Sequence, residues 1–259
     1  MLLTHLSLFS GIGGIDLAAH WEGFQTVQFV ERDPYCYKVL SKNFPGVPIH
    51  DNILTFDAKP FKGTLALVSA GFPCQPHSLA GQRKGSDDER DLWQEVVRVL
   101  REAEPRWFLG ENVAGLLSSD GGWYFGTIIG DLARLGYRVG WCKFGSCDVG
   151  APHKRERVFI VAYAPSKRRA EASQPWARCD SEGSTKAQRE GANLWNEIAR
   201  ICDSQDWEAL ACMVSRSDDG VPGWMDRRRA LGNAVNPYQV QPILAEIANE
   251  CLNGNHWQG

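Results

Sequence analysis

Short apolar runs alternate with stretches in which apolar residues recur every three or four positions, and the alternation continues to residue 163. Leu6-Ser7-Leu8-Phe9 predicts a strand that ends in the turn Ser10-Gly11-Ile12-Gly13-Gly14. A short helix from about Ile15 to Trp21 follows. Val27-Gln28-Phe29-Val30 predicts a second strand that closes on Glu31. Asp33 then caps a helix with Pro34 in its first turn, running to about Asn43. Leu65 to Ala70 reads as a third, buried strand. Asp91 to Arg101 reads as a helix with Leu92, Val96, Val99 and Leu100 on one face. Trp107-Phe108-Leu109 is a strand that delivers Glu111 and Asn112, and Tyr124 to Leu135 is another helix. Tyr137 to Phe144 and Arg157 to Tyr163 predict a strand pair at the sheet edge.

Strands alternating with helices predict an α/β fold, Rossmann-like, with a mostly parallel, doubly wound sheet covered on both faces. Ligands of such sheets bind outside the carboxyl ends of the strands. The glycine turn, Glu31, Cys74 and Glu111-Asn112 all fall at such ends, so unrelated signals converge on one rim. The pattern stops after Pro165. Residues 166–222 are polar, with Trp176, Trp195 and Trp207 scattered among them and no clear period. Order returns with the run from Arg227 to Pro237, and a last helix carries Val240, Ile243, Leu244, Ile247 and Cys251 at helical spacing. The expected division is therefore one domain from residues 1–164 and 225–259, interrupted by a small region at 165–224.

Composition narrows the picture. The chain has 259 residues, 43% of them hydrophobic, enough for a sizeable core. A net charge of −3 excludes a uniformly basic surface, so any nucleic-acid face is local. No basic segment followed by a long apolar stretch opens the chain, and no run approaches the ~18 apolar residues of a membrane span. The expectation is a cytoplasmic protein, without a membrane, whose eight cysteines are reduced. Cys142 and Cys147 have no second pair or histidine at ligand spacing, so no metal is expected.

One thiol stands apart. Cys74 lies in Gly71-Phe72-Pro73-Cys74-Gln75-Pro76, directly after a buried strand, with proline fixing φ on both sides. A small buried hydrophobe is the ordinary state of a free cysteine, and the other seven fit that description. The frame around Cys74 instead suits a nucleophile that meets its target at a fixed angle, and Glu111 is the natural acid partner. Arg155 and Arg157 are two apart, so both would point to one face of a strand and suit a carbonyl oxygen or a phosphate. The glycine turn lets a ligand lie against backbone N–H groups at a helix N-terminus, though a tight turn needs glycine too. Glu31, about 20 residues on, is placed to accept hydrogen bonds from ribose hydroxyls.

Taken in order, Phe9 to Gly14, Glu31-Arg32-Asp33, Gly71 to Ser78, Glu111-Asn112-Val113, His153 to Arg157 and Gly232-Asn233-Ala234-Val235 resemble the DNA (cytosine-5) methyltransferase family. The resemblance covers about residues 1–163 and 225–250. It implies that S-adenosylmethionine lies along Phe9, Gly11, Gly13 and Pro73, with its ribose on Glu31. Its adenine would lie near Arg32, Asn52 and Ile53, and Asn233 and Val235 would complete the pocket. It implies that Cys74 attacks C6 of a flipped-out cytosine in duplex DNA and that Glu111 acts at N3. Arg155 would hold O2, supported by Arg157, with Asn112 beside them. Gln75 and Ser78 would face DNA. Asn52 stands where the family has aspartate, and His153 where it has glutamine. Residues 165–224 are the expected target reader, through Lys167, Arg168, Arg169, Arg178, Arg189 and Arg216. The resemblance further implies a restriction–modification, phage or orphan methylase that acts as a monomer, with no need to bind a cognate endonuclease.

Three other readings remain open at this level. They are an RNA cytosine-5 methyltransferase, a non-catalytic DNA-binding module on the same scaffold, and a nucleotide-binding oxidoreductase. The last leaves Pro73-Cys74-Gln75 and Glu111-Asn112 unexplained.

Overall fold

The computed structural model describes residues 2–73, 92–151, 154–165 and 233–253. Four parallel strands form its centre: β1 (Leu3–Leu8), β2 (Phe24–Val30), β4 (Leu67–Ala70) and β5 (Trp107–Val113). A two-residue strand, β3 (Ile49–His50), extends the sheet beyond β2. At the other side β7 (Arg157–Tyr163) runs antiparallel to β5, and β6 (Arg138–Phe144) closes the edge. The order of the seven strands is β3-β2-β1-β4-β5-β7-β6.

Among the described residues, five α-helices cover the sheet: α1 (Gly14–Trp21), α2 (Pro34–Asn43), α3 (Trp93–Ala103), α4 (Trp123–Arg134) and α5 (Pro237–Asn253). Asp33 caps α2 as expected, accepting from Tyr35 N and Cys36 N, with Pro34 in the first turn. α3 buries Trp93, Val96, Val97, Val99, Leu100 and Ala103 along one stripe. At about 1.5–3 kcal/mol for each large apolar side chain, that stripe holds the helix on the sheet.

The two faces have separate cores. Leu6, Leu8, Val68 and Phe108 pack with α3 and α4 on one side. Leu3, Leu67, Trp107, Leu109 and Phe159 pack with α1 and α5 on the other. In α5 the apolar positions Val240, Ile243, Leu244, Ile247 and Cys251 are all buried there.

Alternation along β1 also turns His5 and Ser7 away from Leu6 and Leu8, toward α1. They meet a buried polar group. His5 pairs with Thr26 Oγ1 at 3.0 Å and Ser69 Oγ at 2.8 Å, and Ser7 donates to Asp16 Oδ2 at 3.1 Å. Burial lowers His5 to about 3 and raises Asp16 to about 7, the latter against the hydrogen bonds from Ser7 and Thr26. The 3.6 Å contact between His5 and Asp16 therefore involves a neutral imidazole, and below about pH 7 it joins two uncharged groups.

Three expectations need correction. β5 runs through to Val113, so Glu111 and Asn112 lie inside the strand rather than beyond it, because β7 pairs with them along its full length. β7 begins at Arg157, and Arg155 precedes it with a left-handed φ of 29°, so the two arginines do not share a strand face. Cys147 is exposed and Cys142 is half-buried; among the described cysteines only Cys36 and Cys251 behave as buried hydrophobes.

Candidate active site

The carboxyl ends of β1, β2, β4 and β5 form one rim. At β1 the chain turns sharply, with left-handed φ at Phe9 (52°), Gly11 (55°) and Gly13 (85°). The glycines do different work. A Cβ at Gly11 would meet nothing within 4 Å, so that position opens a backbone cradle. A Cβ at Gly13 would come within 2.7 Å of the Phe44 ring, and one at Gly14 would overlap the Val235 carbonyl oxygen. Gly14 thus lets the segment before α5 lie against the turn. A cleft of about 590 Å³ lies here, lined by Gly13, Gly14 and Leu17, by Val39 and Asn43 of α2, and by Arg155, Ala234 and Val235.

Glu31 ties two turns together. Its Oε2 accepts from Gly11 N and its Oε1 from Asp33 N, both at 2.7 Å. Each carboxylate oxygen keeps a lone pair that a hydroxyl can use. Arg32 is exposed beside it. Asn52 accepts from Leu54 N at 3.0 Å and so caps the turn Ile53–Thr55. That turn is clamped from behind by Arg98 of α3. Arg98 donates Nη2 to Ile53 O at 2.7 Å and Nη1 to Phe56 O at 2.9 Å, while Glu95 and Glu102 hold the guanidinium.

Glu111 is 7% exposed and faces the rim, where a Cβ at Gly71 would stand 3.6 Å from its Oε2. Arg157 Nε approaches its Oε1 at 2.9 Å, but off-axis for a hydrogen bond. Burial raises the Glu111 carboxyl above its ordinary value and outweighs the opposing pull of Arg157 and then Arg155. The result is a carboxyl that takes a proton readily although two cations face it. Arg155 is lowered by burial and by the neighbouring charge of Arg157, against the pull of Glu111. Its Nη2 donates to Ala234 O. Asn112 donates Nδ2 to Phe72 O at 3.0 Å, which anchors the lead into Pro73 and Cys74.

Glu111, Arg155, Arg157, Asn112, Phe9, Gly11, Gly13, Glu31 and Val235 thus gather around one rim. Pro73 is exposed where β4 runs out, and Asn233 is exposed at the start of the returning segment. Cys74, Gln75, Ser78, His153, Lys167, Arg168, Arg169, Arg178, Arg189 and Arg216 lie outside the described residues, as does the region 166–232. Sequence reasoning missed Arg98 and Gln239, and it placed Gly14 in the turn without giving it a duty of its own. Gly14 was hidden among neighbouring glycines, and Arg98 sits on the polar side of an amphipathic helix. Gln239, a fully buried amide beside the apolar stripe of α5, is described below.

An open, mostly parallel sheet with a glycine cradle, an acidic residue after the second strand and a buried carboxyl opposite two guanidiniums is the frame of an α/β enzyme built around a nucleoside cofactor. The family follows from comparison: the model of the C-5 cytosine-specific DNA methylases matches residues 3–212, and the chain belongs to that family. It is 38% identical over 173 residues to the type II methyltransferase M.AquIA of Picosynechococcus sp., covering 60% of this chain and 70% of that protein. It is 31% identical over 244 residues to M.BsuFI of Bacillus subtilis, covering 94% of this chain and 56% of that one. The chain spans 70% of the length of M.AquIA and 38% of that of another such relative, M.PspPI of Psychrobacter sp.. A crystal structure of the S. pombe Dnmt2 methyltransferase shares the fold, with a TM-score of 0.67 at 20% identity over 97% of this chain and 99% of that one.

Proposed function

We infer that this chain transfers a methyl group from S-adenosylmethionine to C5 of a cytosine in duplex DNA. The observation that carries the reading is Glu111, a buried carboxyl of raised proton affinity. It faces Arg155 and Arg157 and stands beside the Gly71-Phe72-Pro73 lead into Cys74. Cytosine C5 is a poor nucleophile until the ring is activated. The Cys74 thiolate adds to C6, forming a C–S bond and pushing an electron pair through the ring toward N3. Glu111 supplies the proton that N3 takes up, and Arg155 holds the O2 carbonyl. C5 then carries the electron pair that accepts the methyl group. Loss of the C5 proton to a base re-forms the C5–C6 double bond and breaks the C6–S bond, releasing Cys74 as thiolate, and return of the N3 proton to Glu111 restores the neutral ring. Because the base is unreachable inside a duplex, it must swing out of the stack.

The residues present fit the donor. Gly11 leaves an open cradle, and Glu31 retains acceptor capacity at its edge. Val235 lies against Gly14 to wall the cleft. When bound there, S-adenosylmethionine would supply an electrophilic methyl group, its S–CH3 bond breaking as the C5–CH3 bond forms and leaving S-adenosylhomocysteine. Residues 165–224 would read the target, and the chain would act as a cytoplasmic monomer, independent of any endonuclease of a restriction–modification pair. Among the described residues no helix is long and apolar enough to cross a membrane.

The test is transfer from labelled donor to duplex DNA, run beside transfer RNA. Cys74→Ala is expected to abolish transfer while Cys142→Ser keeps most of it. DNA carrying 5-fluorocytosine is expected to trap a covalent complex. Equal loss in both cysteine variants, or labelling of RNA alone, would overturn the reading.

A further inference from the structure

Arg155 is held in an unusual way. It carries a left-handed φ of 29° and lies outside any strand, so its own backbone does not fix where the guanidinium points. What fixes it is the segment that returns from the far end of the chain. Gln239 is completely buried and contacts the neck of the β6–β7 hairpin with its whole amide. Its Nε2 donates to Phe144 O at 2.6 Å and to Arg155 O at 3.2 Å, and its Oε1 accepts from Ser146 Oγ at 3.2 Å. Ser146 N in turn donates to Lys154 O at 2.8 Å. Gly145 must be glycine for that approach, since a Cβ would stand 2.5 Å from Lys154 O. The Arg155 side chain meanwhile donates back to Ala234 O, five residues before Gln239. Two hydrogen bonds in opposite senses therefore lock Arg155 to one short stretch: carbonyl from Gln239, guanidinium to Ala234.

We propose that Gln239 is a positioning residue for Arg155. It fixes the backbone from which the guanidinium reaches the base carbonyl. Resting on the reading above, this adds a residue that acts on the substrate only through another. A hydrocarbon of similar size would fill the same space yet leave the carbonyls of Phe144 and Arg155 without their donor. The Arg155 carbonyl would lose the donor that sets the tilt of its peptide, so the guanidinium would be aimed from a shifted backbone, and misplacing a catalytic group by about 1 Å can cost on the order of a hundredfold.

The experiment is a double-mutant cycle of Gln239→Leu with Arg155→Lys, measured as kcat and KM for duplex DNA. Affinity for S-adenosylhomocysteine without DNA is measured alongside. Gln239→Leu alone is expected to lower kcat/KM for DNA by about ten- to a hundredfold. It should change S-adenosylhomocysteine affinity by less than about threefold. In the Arg155→Lys background it should cost little more, because the residue it acts through is already altered. Additive losses would show that Gln239 does not work through Arg155. A parallel fall in S-adenosylhomocysteine affinity would show a general collapse of the segment; either result overturns the proposal. If Gln239→Leu fails to fold, Gln239→Glu carries the same cycle, since it keeps the volume and removes both amide N–H donors. A wild-type chain that methylates DNA, with a Gln239 variant that matches it, would refute this inference and leave the proposed function standing.

Discussion

Replacing Gly14 by alanine isolates one close approach. Gly14 opens α1 with an ordinary negative φ, so alanine brings no backbone strain there. The new methyl group would overlap the Val235 carbonyl oxygen and stand 3.2 Å from its carbon and 3.4 Å from its nitrogen. Contacts with three backbone atoms of one residue cannot be relieved by turning a side chain, so the segment must retreat as a unit. Overpacking of this kind costs about 1–3 kcal/mol. Retreat also strains the charged hydrogen bond from Arg155 to Ala234 O, worth about 1.5–3 kcal/mol if lost. Against this, alanine in place of glycine gains at most about 1 kcal/mol of helix propensity. The net cost is about 2–4 kcal/mol, which lowers the melting temperature by about 5–15 °C in a chain this long. Calorimetry with and without S-adenosylhomocysteine measures it, and the donor's stabilising effect should shrink as well. Gly126→Ala in α4 is the control, since a Cβ there meets nothing within 4 Å; it should stabilise by about 0.5–1 kcal/mol. A Gly14→Ala protein that melts with the wild type and binds the donor equally well would refute the reasoning.

Arg98→Ala removes both donors from the carbonyls of Ile53 and Phe56. Isothermal titration should show donor affinity about tenfold weaker or worse, with kcat at saturating donor much less affected; unchanged affinity would show that Arg98 and the Ile53–Thr55 turn do not support donor binding. The His5–Asp16 pair gives a pH prediction. Asp16 keeps its proton up to about 7 when folded, so its contribution to stability is present below its usual range and lost as pH rises through about 7. His5, lowered from 6.5 to about 3, contributes above its usual value and loses it as pH falls. The two slopes oppose each other between about pH 4 and 6.5. Asp16→Asn removes one of them, so stability measured by urea unfolding should climb across that window, by at most ~1.4 kcal/mol per pH unit relative to wild type. Parallel curves for the two proteins would contradict the assignment.

Much of the frame was legible in the chain because local chemistry and global packing agree there. Asp33-Pro34 starts its helix where a capping side chain and a fixed φ demand it, and the stripe on α3 is visible from apolar spacing alone. β3 escaped notice because two paired residues leave no periodic signal. β5 outran its apolar run because pairing with β7 gives Glu111 and Asn112 their hydrogen bonds even though neither is hydrophobic. The backbone of Arg155 was misread because a left-handed φ in a non-glycine residue depends on distant contacts, here those of Gln239. The grouping of acid, arginines and glycine turn on one rim followed from the rule that ligands sit at the carboxyl ends of parallel strands. The separate duties of Gly11 and Gly14 did not, because only the returning segment distinguishes them.

The docking of α5 has a consequence for biosynthesis. Ile15, Ala18, Phe24, Trp107 and Phe159 belong to a core whose last members, Val240 to Cys251, are made more than seventy residues after the end of β7. While the ribosome works through that interval, α1 alone covers this side, and the apolar surface that α5 will take stays open. Such a nascent chain is a natural client for a holding chaperone. Slowing translation between the two parts should lower the yield of soluble protein more than slowing it earlier.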